Sequence, residues 1–149
     1  MLTIPTAAYA SLRQHGEETY PHECCGVLLG QFADDGSKAV TSIVRAGNTR
    51  DDSPHNRYHI DPKELIRTQR EGRARGEDIV GFYHSHPDHP ARPSQYDLDH
   101  AWPFFSYVIV SIVSAEAQAM TSWRLRDDRS AFDEEPLVRA ADVAAGGEN

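Results

Sequence analysis

The segment Asp78-Ile79-Val80-Gly81-Phe82-Tyr83-His84-Ser85-His86-Pro87-Asp88-His89-Pro90-Ala91-Arg92-Pro93-Ser94-Gln95-Tyr96-Asp97 decides how the chain reads. Its first seven residues are mostly apolar or aromatic and predict a central β-strand over 78–84. Pro87, Pro90 and Pro93 then impose a loop over 87–93. Ser94 is placed to cap a short helix running to about Ala101. On an extended strand, side chains at i and i+2 share a face, so His84 and His86 can reach one ion. Asp97 lies on the first turn of the predicted helix, where a loop–helix return can bring its carboxylate over the strand end. Two imidazoles and one carboxylate leave the fourth tetrahedral position open, a donor set that suits a catalytic zinc rather than a structural one.

Outward from this segment the elements alternate. Toward the N-terminus, Pro5 to about Glu18 reads as a helix with Tyr9, Leu12 and Ala8 on its apolar stripe, closed by Tyr20-Pro21. Cys24–Phe32 is a buried strand, Asp34-Asp35-Gly36-Ser37 a hairpin turn, and Ala39–Ala46 the returning strand. Gly47–Asn56 is polar and loop-like, with a short strand over Tyr58-His59-Ile60. Asp61-Pro62 and Glu64 open a helix that runs to about Arg75, with Leu65 and Ile66 facing inward and Gly76 stopping it. Toward the C-terminus, Phe104–Val113 is the most strand-like stretch, Ala117–Arg126 alternates, and Phe132–Val138 adds one edge strand. The order predicts an α/β fold: one domain over residues 1–139 with a mixed β-sheet and flanking helices, and a flexible tail over 140–149.

Composition narrows the class. A length of 149 residues, 39% hydrophobic and 26% charged, is that of one globular domain. Apolar runs such as Tyr107–Val110 are too short to span a membrane, and the N-terminus carries neither the basic nor the apolar region of a signal peptide, so a cytoplasmic location is expected. A net charge of −8 disfavours a nucleic-acid partner. Cys24 and Cys25 are adjacent, poor geometry for a mutual disulfide, and read as two small buried hydrophobes.

A metal-activated water needs a base that is not itself a ligand. Glu23 is the candidate, at the mouth of the apolar strand that begins with Cys24, where a carboxylate is not there for packing. Other residues read more plainly. Ser85 should face away from the imidazoles and make a structural hydrogen bond. Asp88, His89 and Arg92 read as solvated loop residues as readily as substrate contacts. His22, His55, His59 and His100 have no partner spacing, and Trp102 and Phe104 read as core. Gly146-Gly147 reads as part of the flexible end.

The combination of Glu23 in ECCG, His84-Ser85-His86-Pro87, and Pro93-Ser94-x-x-Asp97 resembles the JAMM motif of the MPN-domain (JAB1/Mov34/PAD-1) metalloproteases. The likeness extends from Tyr20-Pro21-x-Glu23 to the strand ending near Val113, with no departure at a motif position. It implies a zinc peptidase or isopeptidase with His84, His86 and Asp97 as ligands, Glu23 as base and Ser94 as oxyanion partner. Only Leu98 to Pro103 separates Asp97 from the next strand, so the chain is similar to the small stand-alone prokaryotic members. These are associated with ubiquitin-like or sulfur-carrier proteins, whose C-terminal Gly-Gly would be the acyl side of the bond cut. The alternative within the family is a non-catalytic scaffold module. A zinc deaminase is disfavoured because its H-x-E and P-C-x-x-C pattern is missing. The sequence leaves the oligomeric state open.

Overall fold

The hairpin signal forms as expected. In the computed structural model, which describes residues 1–47 and 59–140, the strands β2 (Cys25–Phe32) and β3 (Lys38–Ala46) pair antiparallel. Asp35 closes their turn by accepting from both the Ser37 amide and its hydroxyl. The remaining elements are β1 (Leu2–Pro5), α1 (Thr6–Thr19), α2 (Pro62–Ala74), β4 (Asp78–Pro87), α3 (Gln95–His100), β5 (Ser106–Val113), β6 (Glu116–Leu125), β7 (Phe132–Glu135) and β8 (Leu137–Ala140). The fold is the mixed α/β sheet with flanking helices that the element order predicts.

The strands form one eight-stranded sheet in the order β7-β6-β5-β4-β2-β3-β1-β8. β7 and β8 are separated by Pro136 alone yet lie at opposite ends of that order, so the sheet curls until its two edges approach each other. Glu135 pins the closure. Its carboxylate accepts from Ser106 Oγ at 2.6 Å, Ser122 Oγ at 2.8 Å and the N-terminal ammonium at 3.2 Å. Burial works against its charge, but the two hydroxyls and the Lys38 cation outweigh it and hold the carboxyl below its ordinary value.

Inside the curl sits α1, touching β1, β3, β5, β6 and β8. Its residues Ala8, Tyr9 and Leu12 join Leu2, Ile4, Leu28, Tyr83, Val108, Val110 and Ile112 in the main core. α2 covers the other face against β2 and β4, with Leu65 and Ile60 packed on Val27, Leu29 and Ile79. Asp61 caps α2 by accepting from the Lys63 amide, with Pro62 in the first turn.

Several boundaries differ from the sequence reading. Pro5 ends a strand instead of starting the helix, because residues 2–5 pair in parallel with β8 and residues 2–3 also pair with β3. The stretch read as one strand over 132–138 is two strands broken at Pro136, which has no amide to continue a ladder. Ile66 is 55% exposed, and Leu65 alone of that pair faces inward. His59 and Ile60 are not in a strand, while Tyr58, Asn48–Asn56 of the predicted loop and most of the predicted tail lie outside the described residues; Ala140 closes β8. Among the described residues no helix is long and apolar enough to cross a membrane. Cys24 and Cys25 are buried and free.

Gly26 of the ECCG stretch has a packing reason. A Cβ there would lie 2.2 Å from the Tyr83 ring. Its absence lets that ring lie across β2 and hydrogen-bond through its hydroxyl to His15 Nδ1 at 2.7 Å. Burial, then the Arg45 charge, lower His15 to about 4. A histidine depressed in the folded state contributes stability that is complete above its unfolded value near 6.5 and is lost as pH falls toward 4. Urea unfolding between pH 7 and pH 4 should therefore show wild type losing stability faster than His15→Gln, by up to about 1.4 kcal/mol per pH unit.

Candidate metal centre

β4 runs three residues past the predicted His84, because its parallel ladder with β5 continues through Ser85–Val110, His86–Ser111 and Pro87–Ile112. Both histidines therefore sit on regular strand and share a face. β2 runs antiparallel on the other side with Cys25 opposite His84. The Ser85 amide donates to the Cys24 carbonyl at 3.2 Å and Ser85 Oγ accepts from the Cys24 amide at 2.9 Å. Ser85 thus makes a structural bond, on the face away from the imidazoles. Continuing this register places Glu23 across from His86, which is how residues 61 positions apart come to one strand end.

Asp97 arrives from the other direction. Ser94 and Asp97 form a reciprocal capping box at the start of α3. Ser94 Oγ accepts from the Asp97 amide at 3.1 Å, and the Ser94 amide donates to Asp97 Oδ2 at 2.8 Å. The same Oδ2 lies 3.3 Å from His84 Nε2 and 3.3 Å from His86 Nε2. The two Nε2 atoms are 3.1 Å apart. A tetrahedral ion with bonds of about 2.0–2.1 Å holds its donors about 3.3 Å from one another. The three atoms therefore already form one face of such a tetrahedron. His86 is also oriented correctly: its Nδ1 is 2.9 Å from the Pro90 carbonyl, which must accept an N–H and so leaves Nε2 with the lone pair. Pro90 was invisible as a partner in the sequence, since a backbone carbonyl carries no residue signature.

The protonation states suit a cation. Burial keeps His84 below its ordinary value, so the imidazole is neutral. Burial opposes the charge of Asp97, yet the histidine partners and the Ser94 amide hold it ionised, well below the usual carboxylate range. Glu23, 4% exposed, goes the other way: burial first and the Asp97 charge second push it up to about 9. A divalent cation between the ligands would reverse that shift.

Beside Asp97 opens a groove of about 810 Å³ lined by aromatic and aliphatic side chains, among them Phe82, Ile66, Trp102 and Phe104. Trp102 and Phe104, read from sequence as core, are instead 61% and 74% exposed. The linker after α3 is short, and Tyr107 takes the inner position, its hydroxyl accepting from the Trp102 amide at 2.8 Å. Asp88 is exposed, in keeping with its reading as a solvated loop residue, and is also hydrogen-bonded to Tyr20, Ser114 and Ile112. His22 and Glu23 line a smaller cavity with His15, Thr19 and Cys24 on the other side of the strand end.

A curled mixed sheet here brings two strand-borne imidazoles and a helix-borne carboxylate together as a donor set that could hold a metal ion. Comparison with known proteins gives the family: the model for prokaryotic homologues of the JAB domain matches residues 5–126, and the chain belongs to that family. It is 35% identical over 115 residues, 74% of this chain and 80% of the relative, to a protein of Haloferax volcanii named desampylase. It is 28% identical over 109 residues, 73% of this chain and 69% of the relative, to a probable TtuB-protein conjugate cleaving protease of Thermus thermophilus. A solution structure of a protein from Desulfitobacterium hafniense superposes with a TM-score of 0.81 at 31% identity, covering 95% of this chain and 94% of that one.

Titration with Zn2+ should load one ion per chain. Asp97→Ala should weaken uptake about 100-fold or more, because it removes a charged donor and leaves two neutral ones. Chelator competition followed by metal analysis measures both.

Proposed function

We propose that this chain is a zinc-dependent peptidase or isopeptidase, active within residues 1–139, that hydrolyses the amide bond formed by the C-terminal Gly-Gly of a ubiquitin-like or sulfur-carrier protein. His84, His86 and Asp97 are the zinc ligands, Glu23 the general base and Ser94 the oxyanion partner. The observation that carries the reading is the triangle of donor atoms with edges of 3.1, 3.3 and 3.3 Å beside a buried, non-ligating carboxyl at Glu23. The substrate class rests on the names of the relatives, one a desampylase and the other a TtuB-conjugate protease. The free cysteines fit the reducing cytoplasm.

When bound, the zinc supplies a water of lowered pKa and polarises the carbonyl to be attacked. The rest belongs to the chain. Glu23 accepts the proton of the attacking water and returns it to the departing amine. Its buried position raises its proton affinity, which suits the second half of that task. Ser94 uses an oxygen lone pair to cap α3, so its hydroxyl hydrogen is free to donate to the developing oxyanion, and the side chain is exposed to substrate. The groove beside Asp97 receives apolar substrate surface next to the scissile bond.

The test uses a ubiquitin-like carrier extended at its C-terminal Gly-Gly by a fluorogenic amide. Glu23→Gln should lower turnover by about 10²–10⁴-fold with zinc still bound at one per chain. Wild-type turnover in that variant would remove Glu23 from the chemistry, and a zinc-free, inactive wild-type protein would favour a scaffold module. Because Trp102 and Phe104 are exposed, Trp102→Ala and Phe104→Ala should leave folding intact and raise KM about tenfold with kcat little changed.

A further inference from the structure

We propose that the Tyr20–Asp88 pair is a positioning strap that sets the Glu23 carboxyl relative to the metal ligands; the proposal rests on the reading of Glu23 as the general base. Asp88 stands two residues beyond His86 and is fixed by two hydrogen bonds apart from the one to Tyr20. Its amide donates to the Ile112 carbonyl at 2.6 Å, tying it to the end of β5. Its Oδ1 accepts from the Ser114 amide at 3.0 Å, tying it to the β5–β6 turn. Its backbone takes φ +58°, a left-handed conformation that Asp tolerates better than most residues. The neighbouring loop is equally anchored, with Ser111 Oγ donating to the His89 carbonyl at 2.6 Å and Thr121 Oγ1 to the Ala91 carbonyl at 2.7 Å. Asp88 is thus a fixed post carried by the same strand as the two histidines.

Onto this post the Tyr20 hydroxyl donates, reaching Asp88 Oδ2 at 2.5 Å across 68 positions of sequence. Tyr20 is the first residue after α1, and its ring packs against the main core. Glu23 lies in the short connection from Thr19 to Cys25, outside both α1 and β2. That connection is held at its far end by the paired Cys24–Ser85 bonds and at its near end by Tyr20 on Asp88. Both anchor points are on β4 or the residue that follows it, so the base and the ligands are referred to a single strand. Without the Tyr20 bond, the connection keeps its β2 end and its bonds back to α1, from the His22 amide to the Thr19 carbonyl at 2.8 Å and from Thr19 Oγ1 to the His22 carbonyl at 3.1 Å, but loses its tie to the strand that carries the histidines. A carboxyl displaced by about 1 Å no longer meets the attacking water in line, a misplacement that can cost up to about 10²-fold in rate.

The strap should act on kcat through Glu23 and leave substrate and metal binding alone. Tyr20→Phe keeps the ring in the core and deletes the hydroxyl. With the fluorogenic carrier substrate, kcat should fall about tenfold. KM should stay within about twofold, and zinc content and Tm should match wild type. Asp88→Asn, which preserves the Ser114 bond and tolerates the left-handed backbone, should lower kcat in the same way by at least about threefold, and serves if Tyr20→Phe fails to fold. In a Glu23→Asp background, whose carboxyl is already displaced, the loss on adding Tyr20→Phe should shrink below about threefold. The proposal is overturned if the folded variants keep kcat within about twofold of wild type, if their losses follow lost zinc or lowered Tm, or if the full tenfold loss recurs with Glu23→Asp. Failure of the base reading is distinguishable: Glu23→Gln would then turn over like wild type, whereas an inactive Glu23→Gln with a normal Tyr20→Phe refutes the strap alone.

Discussion

Everything at the site depends on β4 keeping its ladders to the end. It lies between β2 and β5 in the middle of an eight-stranded sheet, one neighbour antiparallel and the other parallel. Backbone polar groups buried at such a place must be paired, and pairing with β5 through Pro87 supplies this for the whole His-Ser-His-Pro stretch. Once the backbone is settled, alternation does the sorting. Ser85 turns toward α1 and Gly16, where it meets the Cys24 amide, and the two histidines turn to the opposite face. A shift of one residue in this register would turn the imidazoles toward α1 and the serine toward Asp97.

The charge pattern on that face follows from burial acting on unlike neighbours. Burial opposes the charge of Asp97, but its position beside the two imidazoles and the Ser94 amide keeps it below the usual carboxylate range. Glu23 has burial and the Asp97 charge against it and holds its proton. Two carboxyls in one site are thus driven apart in proton affinity, as the proposed division between a metal ligand and a proton-transferring group requires.

Much of this was legible in the sequence, because the strongest signals are local. The i, i+2 histidines, the proline loop and the Ser94 cap each lie within a few residues; the histidines and the cap form where expected, and the loop starts one residue later, after Pro87. Less local features were not legible. β1 is four residues long and owes its existence to two parallel neighbours distant in sequence. The split at Pro136 depends on the sheet curling, a property of the whole. Trp102 and Phe104 look like core by composition, and only the short reach of the linker, with Tyr107 already inside, leaves them exposed. Glu23 had no local partner at all, and it is the β2–β4 register that brings it to the histidines.

The capping box shows why the site needs little rearrangement to accept an ion. α3 has six residues, too few to be stable as an isolated helix, so its first turn must be held by side chains. Asp97 does this with the same oxygen that faces both imidazoles. The two demands do not compete, because an ionised carboxylate offers about four lone-pair positions across its two oxygens and the amide of Ser94 occupies one. The cap fixes the carboxylate's direction before any cation arrives, and the Pro90 carbonyl does the same for His86. Donor atoms already about one tetrahedral edge apart then lose little conformational freedom on binding. The entropy of ordering them is met by folding, through bonds that persist whether or not the ion is present.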